Sequence, residues 1–396
     1  MLKEKIKHLA KSYFTDVVSM RRYLHENPEL SYKEVNTGKF VAQKLKEYNI
    51  PYLHGIADNG VVGLIEGRNP HKKIIALRAD LDALPITEAN DVPYKSKVDG
   101  VMHACGHDAH TSSLLGAAKI LNNIKDDFEG TIKLIFQPAE EKTPGGASIM
   151  IKEGVLDNPK PLSILGQHVH PPLEAGKVGL KGGIYMASSD ELYLTIRGKG
   201  GHGAMPQECV DTILIAAHII TALQQIVSRN ADPATPTVLT LGKINSVGGA
   251  TNVIPDEVRI EGTFRTLNEK WRNEAKRRMR KLAEGIAESM GGECIFTIEH
   301  GYPVLFNDEV LTSKIKNFMV EYAGKENVVD LPMRMTSEDF AYYSQEMPAC
   351  FYRLGTGNKE KGIISGLHTD TFNIEESSLE LSIGLLAWLA VKELDN

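Results

Sequence analysis

Residues 101–111 concentrate side chains of the kinds that bind metal ions in proteins. They read V-M-H-A-C-G-H-D-A-H-T and contain one cysteine, three histidines and one aspartate. A thiolate and imidazoles this close together suit a soft or borderline divalent ion better than they suit core packing. The alternative is a polar loop that enters a helix, because the apolar residues from Leu114 onward have helical spacing. The spacing Cys105-x-His107, with further acidic and histidine motifs downstream, favours the metal site of a hydrolase.

Further ligand-type residues follow short apolar runs that are typical of buried strands. In open α/β sheets, ligands gather beyond the carboxyl ends of the strands. Three strands that each end in such residues therefore predict one convergent site. The runs and the residues that follow them are 74–77 with Asp80 and Asp82, 131–136 with Glu140 and Glu141, and 163–166 with His168.

The individual side chains of this predicted site differ in how specific they are. Glu140 and Glu141 could be an ordinary acid pair at a helix start, but they follow a proline that blocks regular continuation of the strand. Two adjacent carboxylates can take different roles, one holding a metal and the other moving protons. His168 lies at a predicted strand end, and His170 is the alternative to it. His368 lies in an irregular loop, where its surroundings do not decide between a ligand and a surface residue.

Composition and charge exclude several classes of protein. The 396 residues are 42% hydrophobic and 24% charged, with a net charge of −6. Nucleic acid and an anionic membrane are poor partners for such a chain, because both require a concentrated basic face. The N-terminus lacks the apolar core of a secretion signal, and the most apolar stretches, 213–223 and 381–391, are too short to cross a bilayer. Four scattered cysteines and a metal-binding thiolate indicate a reducing compartment, so we expect the cytoplasm.

The chain opens with two predicted helices. Apolar residues recur every three or four positions up to Asn27-Pro28, which ends the first helix. Ser31 and Glu34 have the spacing of a capping box for a second helix that reaches about Tyr48.

The order of the later elements predicts two domains. Residues 1–186 and 298–396 read as an α/β domain, a mixed sheet covered by helices, which would carry the metals. From about residue 187 apolar and polar residues alternate, as in a strand with one wet face. The order β-α-β-β-α-β that follows is the ferredoxin-like unit. We therefore place an inserted second domain at 187–297.

Residues 198–203 offer a rival interpretation. They read G-K-G-G-H-G and match the dinucleotide-binding fingerprint, which would make the protein a nucleotide-binding oxidoreductase. In that fingerprint the helix begins within the motif, whereas here residues 205–208 intervene before a helical pattern. The preceding strand also alternates as an antiparallel strand does, so we favour the hydrolase.

Several motifs together resemble the M20 metallopeptidase family, and more narrowly its amidohydrolase branch. That branch includes N-acyl-amino-acid amidohydrolases, hippurate hydrolase, indole-acetyl-amino-acid hydrolases and N-acetyldiaminopimelate deacetylase. The resemblance covers almost the whole chain. Its motifs are R-R-Y-L-H-E-N-P-E-L-S (21–31), L-R-A-D-L-D-A-L-P (77–85), H-A-C-G-H-D (103–108), F-Q-P-A-E-E (136–141), G-K-G-G-H-G-A-M-P (198–206), N-V-I-P (252–255), G-T-F-R (262–265) and S-E-D-F (337–340).

The resemblance implies a site for two divalent metal ions in each subunit. Cys105 would bridge the ions, with His107 and His168 on one ion and Glu141 and His368 on the other. Zinc is the first choice for thiolate and imidazole ligands, and manganese, cobalt or nickel could occupy the same site.

The resemblance also implies roles for residues that do not bind metal. Glu140 would be the general base, and Asp82 would orient a metal ligand. In the inserted domain, which would act as a lid and a dimerisation domain, His202 would reach the neighbouring subunit's active site and stabilise the oxyanion. Asn252 and Arg265 would contact the substrate's carboxylate. A homodimer follows from the role of His202.

The implied activity is metal-dependent amide hydrolysis of a small N-acylated amino acid. A hydroxide bound to the two metal ions would attack the amide, with Glu140 as general base. A metallo-carboxypeptidase or dipeptidase of the same fold is the alternative within the hydrolases. A nucleotide-binding oxidoreductase and a metal-binding module without turnover are the alternatives from other classes.

Overall fold

The computed structural model describes residues 1–395, which divide into two compact units. Unit 1 comprises Met1–Tyr185, Phe306–Pro332 and the chain from Asp339 onward, and unit 2 comprises Met186–Leu305 and Met333–Glu338. In chain order the helices are α1 (Leu2–Glu26), α2 (Val35–Glu47), α3 (His107–Asn123), α4 (Gly146–Lys152), α5 (Thr212–Leu223), α6 (Glu269–Ser289), α7 (Glu309–Ala323), α8 (Ala341–Glu346) and α9 (Ser378–Asp395). The strands are β1 (Tyr52–Ile56), β2 (Gly60–Glu66), β3 (Ile74–Asp80), β4 (Thr131–Gln137), β5 (Ser163–Glu174), β6 (Val178–Leu180), β7 (Gly183–Met186), β8 (Ser188–Arg197), β9 (Gly201–His202), β10 (Thr237–Val247), β11 (Val253–Ile254), β12 (Glu257–Thr266), β13 (Glu293–His300), β14 (Leu305–Asn307), β15 (Val328–Asp330) and β16 (Ala349–Gly357).

A mixed sheet of eight strands forms the framework of unit 1. Its order is β1-β2-β4-β3-β5-β16-β6-β15, and the central pairs β4–β3, β3–β5 and β5–β16 are parallel. β4 and β16 are buried along their whole length, which explains their nearly continuous apolar sequence. Helices α1, α3 and α9 pack on one another, α3 and α9 also contact β3, and α7 contacts β15 and β16. The predicted α/β class, a mixed sheet covered by helices, is confirmed.

The parallel centre of the sheet brings the ends of three strands to one edge. Asp80 of β3 lies level with Gln137 of β4, and two residues earlier Arg78 lies level with Gly166 of β5. The prediction that β5 ends near residue 166 is wrong, because β16 pairs with β5 far beyond that point. His168 therefore lies within the strand rather than after it, at the same level of the sheet as Asp80.

The capping box predicted for α2 is also wrong. Glu34 stands at the N-cap position, yet its side chain makes no capping hydrogen bond. The carboxylate of Glu29 instead accepts hydrogen bonds from the backbone N–H groups of Asn36 and Thr37. The side chains of Ser31 and Glu34 are thereby left to contact other parts of unit 1.

Unit 2 contains a four-stranded antiparallel sheet in the order β10-β12-β8-β13. With α5 and α6, its elements follow the chain order β-α-β-β-α-β. The inward residues of β8, Leu192, Leu194 and Ile196, pack in the apolar core of this unit. The end of unit 2 differs from the predicted insert, because β13 continues to His300 and a second stretch, Met333–Glu338, also belongs to the unit.

The glycine-rich segment after β8 does not form a strand-to-helix turn. Gly201–His202 instead pairs as β9 with Val253–Ile254, and α5 begins only at Thr212. β8 is paired antiparallel on both sides. The segment therefore lacks the helix that begins within a dinucleotide-binding fingerprint.

One helical stretch, Thr212–Asn230, is long and apolar enough to cross a membrane by length and composition alone. Core helices pass the same test, and one such helix is weak evidence. This stretch contains α5, whose residues Ile215, Ile219 and Leu223 are buried in the core of unit 2, whereas Ile213 and Leu214 are about half exposed.

A buried ion pair connects β8 to α6 in unit 2. Arg272 donates two hydrogen bonds of 2.8 Å to the carboxylate of Asp190, and both side chains are fully buried. Lys276 Nζ lies 3.0 Å from Asp190 Oδ1. Burial alone would raise the pKa of Asp190, but the hydrogen bonds and charges of Arg272 and Lys276 outweigh it and lower that pKa below its usual value.

Replacing Asp190 by asparagine should destabilise the protein by about 3 kcal/mol, because the buried guanidinium of Arg272 loses its buried carboxylate partner and keeps the partly exposed Glu269. The lowered pKa means that the carboxylate's contribution is complete above the unfolded-state pKa and is lost as pH falls through the folded-state pKa. Urea unfolding should therefore show the deficit of Asp190→Asn at pH 7 and a smaller one in acid. The control is Glu274→Gln, whose carboxylate pairs with two exposed arginines, Arg277 and Arg278. An equal deficit in both variants would contradict this prediction.

Candidate metal centre

The loop before α3 places Cys105 and His107 side by side in the interior. Their exposed fractions are 6% and 1%. Gly106, between them, caps the helix with a φ of 83°, and a Cβ atom there would lie 2.5 Å from Cγ2 of Val169. Only glycine combines this backbone conformation with this close approach. The turn thus presents the thiol and the imidazole to the same space.

Asp82 fixes the orientation of the His107 ring. Oδ1 of Asp82 lies 3.1 Å from Nδ1 of His107, which leaves Nε2 as the free ring nitrogen. Among the described residues Nε2 has no hydrogen-bond partner, although it is buried. It lies 3.8 Å from an oxygen of Asp80 and 3.9 Å from oxygens of Glu140 and Glu141. A buried nitrogen without a partner, surrounded by carboxylates, fits a bound cation.

The electrostatics of the cluster also favour a cation. Burial lowers the pKa of His107, but the carboxylates of Asp80, Asp82 and Glu141 outweigh it and raise that pKa to about 10. Burial, followed by the charges of Glu141 and Glu140, raises the pKa of the Cys105 thiol well above its usual value. So much negative charge favours a divalent ion, and binding such an ion would release the thiol's proton.

Two groups of side chains that could each hold an ion share Cys105. One group is Cys105, His107 and His168, and the other is Cys105, Glu141 and His368. Within each group the ligand atoms lie within 4.8 Å of one another. Sγ of Cys105 lies 3.4 Å from Nε2 of His168, and Nε2 of His368 lies 3.1 Å from Oε1 of Glu141. The donor set of sulfur, nitrogen and oxygen suits zinc and related ions.

Backbone contacts orient the two histidines that come from distant parts of the chain. His168 donates from Nδ1 to the carbonyl of Val169 (2.8 Å), which points Nε2 towards Cys105. His368 has a φ of 61° and donates its backbone N–H to the carbonyl of Ala104 (2.8 Å). This hydrogen bond joins the loop of His368 directly to the loop of Cys105.

Other histidines of the predicted cradle do not join the two groups that share Cys105. His110 uses both ring nitrogens: Nδ1 contacts Asp80 (2.6 Å), and Nε2 accepts the backbone N–H of Val169 (2.9 Å). Asp80, His107 and His110 also lie close enough together to hold an ion, but the two contacts of His110 already use both of its ring nitrogens, so it supports Asp80 and β5. His103 is buried, and its ring lies 6.4 Å from that of His25. His103 and His170 are absent from every candidate metal group of the described residues.

Glu140 lies beside these groups on the turn after β4. It is 6% exposed, and it forms a third group with His107 and Glu141. The backbone N–H of Glu141 donates to Asp82 (2.9 Å), which ties the turn to the residue that orients His107. At these distances Glu140 can serve either as a ligand or as a proton acceptor.

The predicted lid residues all belong to unit 2. His202 lies on β9, and its Nδ1 accepts the backbone N–H of Ala204 (3.1 Å). The backbone N–H of Gly203 donates to the carbonyl of Asn252 (2.7 Å). The short β9–β11 ribbon therefore brings His202 and Asn252 together. Arg265 lies on β12 and donates to Oγ of Ser337 (3.1 Å).

A buried polar network on α1 was missed by the sequence analysis. His25 contacts Asp108 (2.7 Å) through Nδ1 and Glu88 (3.1 Å) through Nε2, and Nε of Arg21 lies 2.8 Å from Asp108. Asp108 follows His107, so this network anchors the first turn of α3. The available signal was an arginine and a histidine four residues apart on the buried face of an amphipathic helix.

Comparisons with known proteins agree with this geometry. The chain matches the model of Peptidase family M20/M25/M40 over residues 76–392. It is 44% identical to the N-acyl-L-amino acid amidohydrolase of Geobacillus stearothermophilus over 310 residues, which cover 78% of this chain and 83% of that protein. It is 39% identical to thermostable carboxypeptidase 2 of Saccharolobus solfataricus, covering 99% of this chain and 98% of that one. A Bacillus subtilis crystal structure described as a dinuclear metal binding peptidase from the M20 family has a TM-score of 0.81 at 36% identity, covering 97% of this chain and 99% of that one. The chain therefore belongs to peptidase family M20 and is a metal-dependent hydrolase of amide bonds.

Proposed function

We propose that this protein hydrolyses N-acylated amino acids to a carboxylate and a free amino acid. The observation that carries the proposal is the pair Glu140 and Glu141 beside two metal-binding groups that share Cys105. The 44% identity to an N-acyl-L-amino acid amidohydrolase supports this substrate class.

We propose that two divalent ions bind in each subunit, with Cys105 as the shared ligand. His107 and His168 would complete one site, and Glu141 and His368 the other. Zinc is the preferred ion for this donor set, with manganese, cobalt and nickel as alternatives. When bound, such ions polarise the scissile carbonyl and lower the pKa of the attacking water.

The chain's own residues would then move the proton and hold the substrate. Glu140 accepts the proton of the attacking water and passes it to the leaving amine, which requires that its carboxylate stay free of metal. Asp82 keeps the ring of His107 in the orientation that ligation needs. His202 stabilises the oxyanion, and Asn252 and Arg265 bind the substrate's carboxylate, which a guanidinium matches in shape.

Because His202 would act in the neighbouring subunit's active site, we also propose a homodimer formed through unit 2. We propose the cytoplasm as the location, because a reducing compartment keeps a metal-binding thiolate reduced. Cys105, Cys209, Cys294 and Cys350 are all free thiols, which is consistent with that location.

A metallo-carboxypeptidase is the second candidate, because the 39% identity to thermostable carboxypeptidase 2 extends over 99% of this chain. The same residues would cleave a peptide bond by the same chemistry. The two candidates differ in what precedes the scissile amide. In an N-acylated amino acid it is a simple acyl group, and in a peptide it is an amino acid residue, which carries a free ammonium group when the peptide is a dipeptide.

A matched pair of substrates separates these candidates. On metal-reconstituted enzyme, the acetyl derivative of one amino acid should give a kcat/KM about tenfold or more above that of its glycyl derivative, if the acyl pocket is built for an uncharged group. A chelator should abolish both activities, and NADH should change neither. A preference for the glycyl derivative would assign the protein to the peptidases instead.

A further inference from the structure

Residues 31–34, which we name the clamp segment, contact the loop that carries Glu140. That loop, residues 138–145, is named the base loop. The clamp segment lies more than a hundred residues away in sequence. Ser31 acts through Asp82: its Oγ donates to Asp82 Oδ2 (2.6 Å), and Asp82 accepts the N–H of Glu141. Tyr32 Oη donates to the carbonyl of Lys142 (3.0 Å) and accepts the N–H of Gly145 (3.2 Å). Glu34 Oε1 accepts the N–H of Ala139 (2.7 Å).

Glu34 is the member of the clamp segment that a packing role does not explain. Its side chain is fully buried, and its carboxylate accepts hydrogen bonds from neutral amide groups, the first being the N–H of Ala139. Its second oxygen accepts a longer hydrogen bond from Asn59 (3.3 Å). Burial and the charge of Asp82 raise the pKa of Glu34 to about 7. A carboxyl group in such a place is costly, and an apolar side chain would pack there at lower cost.

The hydrogen bond from Ala139 shows what this carboxyl group does. Ala139 is fully buried and has a φ of 53°, a left-handed conformation that is unfavourable for a residue with a Cβ atom. Its N–H is bound by Glu34, and its carbonyl accepts the N–H of Gly146 (2.9 Å). Both polar groups of Ala139 are thus held, and the next residue in the chain is Glu140.

We propose that Glu34 is a positioning residue that holds Ala139 in its left-handed conformation and thereby aims the Glu140 carboxylate for proton transfer. This inference rests on the proposed function and deepens it. Asp82 holds the N–H of Glu141 independently. Loss of Glu34 therefore acts on proton transfer and leaves metal binding in place.

Replacing Glu34 by alanine should lower kcat by about 10- to 100-fold, the effect of a small misplacement of a catalytic group. KM and the number of bound metal ions should stay near the wild-type values. Glu34→Gln keeps an oxygen for the N–H of Ala139, and the Asn59 amide can rotate to offer its own oxygen to the new NH₂ group. This variant should therefore keep kcat within about threefold of wild type.

A glycine at position 139 tests the backbone step of the inference. Glycine adopts a positive φ without the Cβ penalty, so the turn no longer depends on Glu34. Ala139→Gly alone should leave kcat within about twofold, and added to Glu34→Ala it should restore kcat by about threefold or more. A structural defect elsewhere in the fold would not respond to this second change.

The control within the same region is Glu29→Ala. The carboxylate of Glu29 caps α2 through the N–H groups of Asn36 and Thr37 rather than binding the base loop, so this variant should lower the melting temperature without lowering kcat. The inference is overturned if Glu34→Ala keeps full kcat, if its kcat falls only in proportion to lost metal, or if the glycine restores nothing. Activity of Glu140→Gln would instead overturn the proposed function, so the two failures are distinguishable.

Discussion

Replacing Glu140 by glutamine should lower kcat by about 10³- to 10⁴-fold, while metal analysis still finds two ions per chain. Glutamine has the size and shape of glutamate but cannot accept the proton of the attacking water. Nothing else about the site should change, because Glu141 is held by Asp82 and His107 is oriented by the same carboxylate. Steady-state kinetics with an acetylated amino acid, together with metal analysis of the same sample, measures both quantities.

The matched control is the same substitution at the neighbouring carboxylate. Glu141→Gln should lower the metal content, because Glu141 belongs to the group with Cys105 and His368. The Glu140 variant would then lose kcat but keep its metal ions, whereas the Glu141 variant would lose metal. Should Glu140→Gln lose metal as Glu141→Gln does, Glu140 is a ligand, and another group must move the proton.

Parts of this site could be predicted from sequence because they depend on local order. Cys105 and His107 are two residues apart, and Glu140 and Glu141 follow a strand of unmistakable apolar character. His168 was found by the same argument, although β5 continues through it. Apolar runs that form buried strands can be recognised within short segments of sequence, although the exact end of a strand, as for β5, cannot.

His368 shows what local order cannot supply. Its loop has no apolar period, and its backbone has a positive φ, which is uncommon for residues other than glycine. The loop is held by a hydrogen bond to Ala104, more than 260 residues earlier. Such a contact forms only when the sheet and α9 have brought both loops to one place, so only the family resemblance pointed to this residue.

The clamp segment shows how a correct local pattern can mislead. Ser31 and Glu34 have the spacing of a capping box, and a helix does begin at Val35. Both side chains nevertheless bond to groups far along the chain, and Glu29 caps the helix instead. A serine or a glutamate can satisfy a helix end or a distant loop with the same atoms, and only the tertiary fold decides between them.

His107 and His110 make the same point for metal ligation. They lie one turn apart on α3, and both are buried. His110 has both nitrogens engaged, by Asp80 and by the N–H of Val169, whereas His107 keeps Nε2 for an ion. The partners of each ring, rather than its position in the motif, determine which histidine can be a ligand.

Replacing Cys105 by alanine should remove most of the bound metal and lower kcat by about 10³-fold or more, since the chemistry depends on the ions. The thiol contributes a ligand atom to both metal-binding groups, and alanine offers none. Metal content after dialysis and zinc titration of the apo-protein measure the loss. The control is Cys350→Ala on β16, a fully buried thiol outside every candidate metal group of the described residues, which should keep both ions.

The decisive observation is how many ions leave. If Cys105 bridges the two sites, its removal weakens both together, whereas His368→Ala removes a ligand from only one. We therefore expect the metal content of Cys105→Ala to fall well below one ion per chain, and that of His368→Ala to fall towards one. A cysteine variant that retains one tightly bound ion would show that the thiolate serves a single site. Such a result would require another residue to join the two sites. Asp80, with an oxygen 3.8 Å from Nε2 of His107, is one carboxylate to consider.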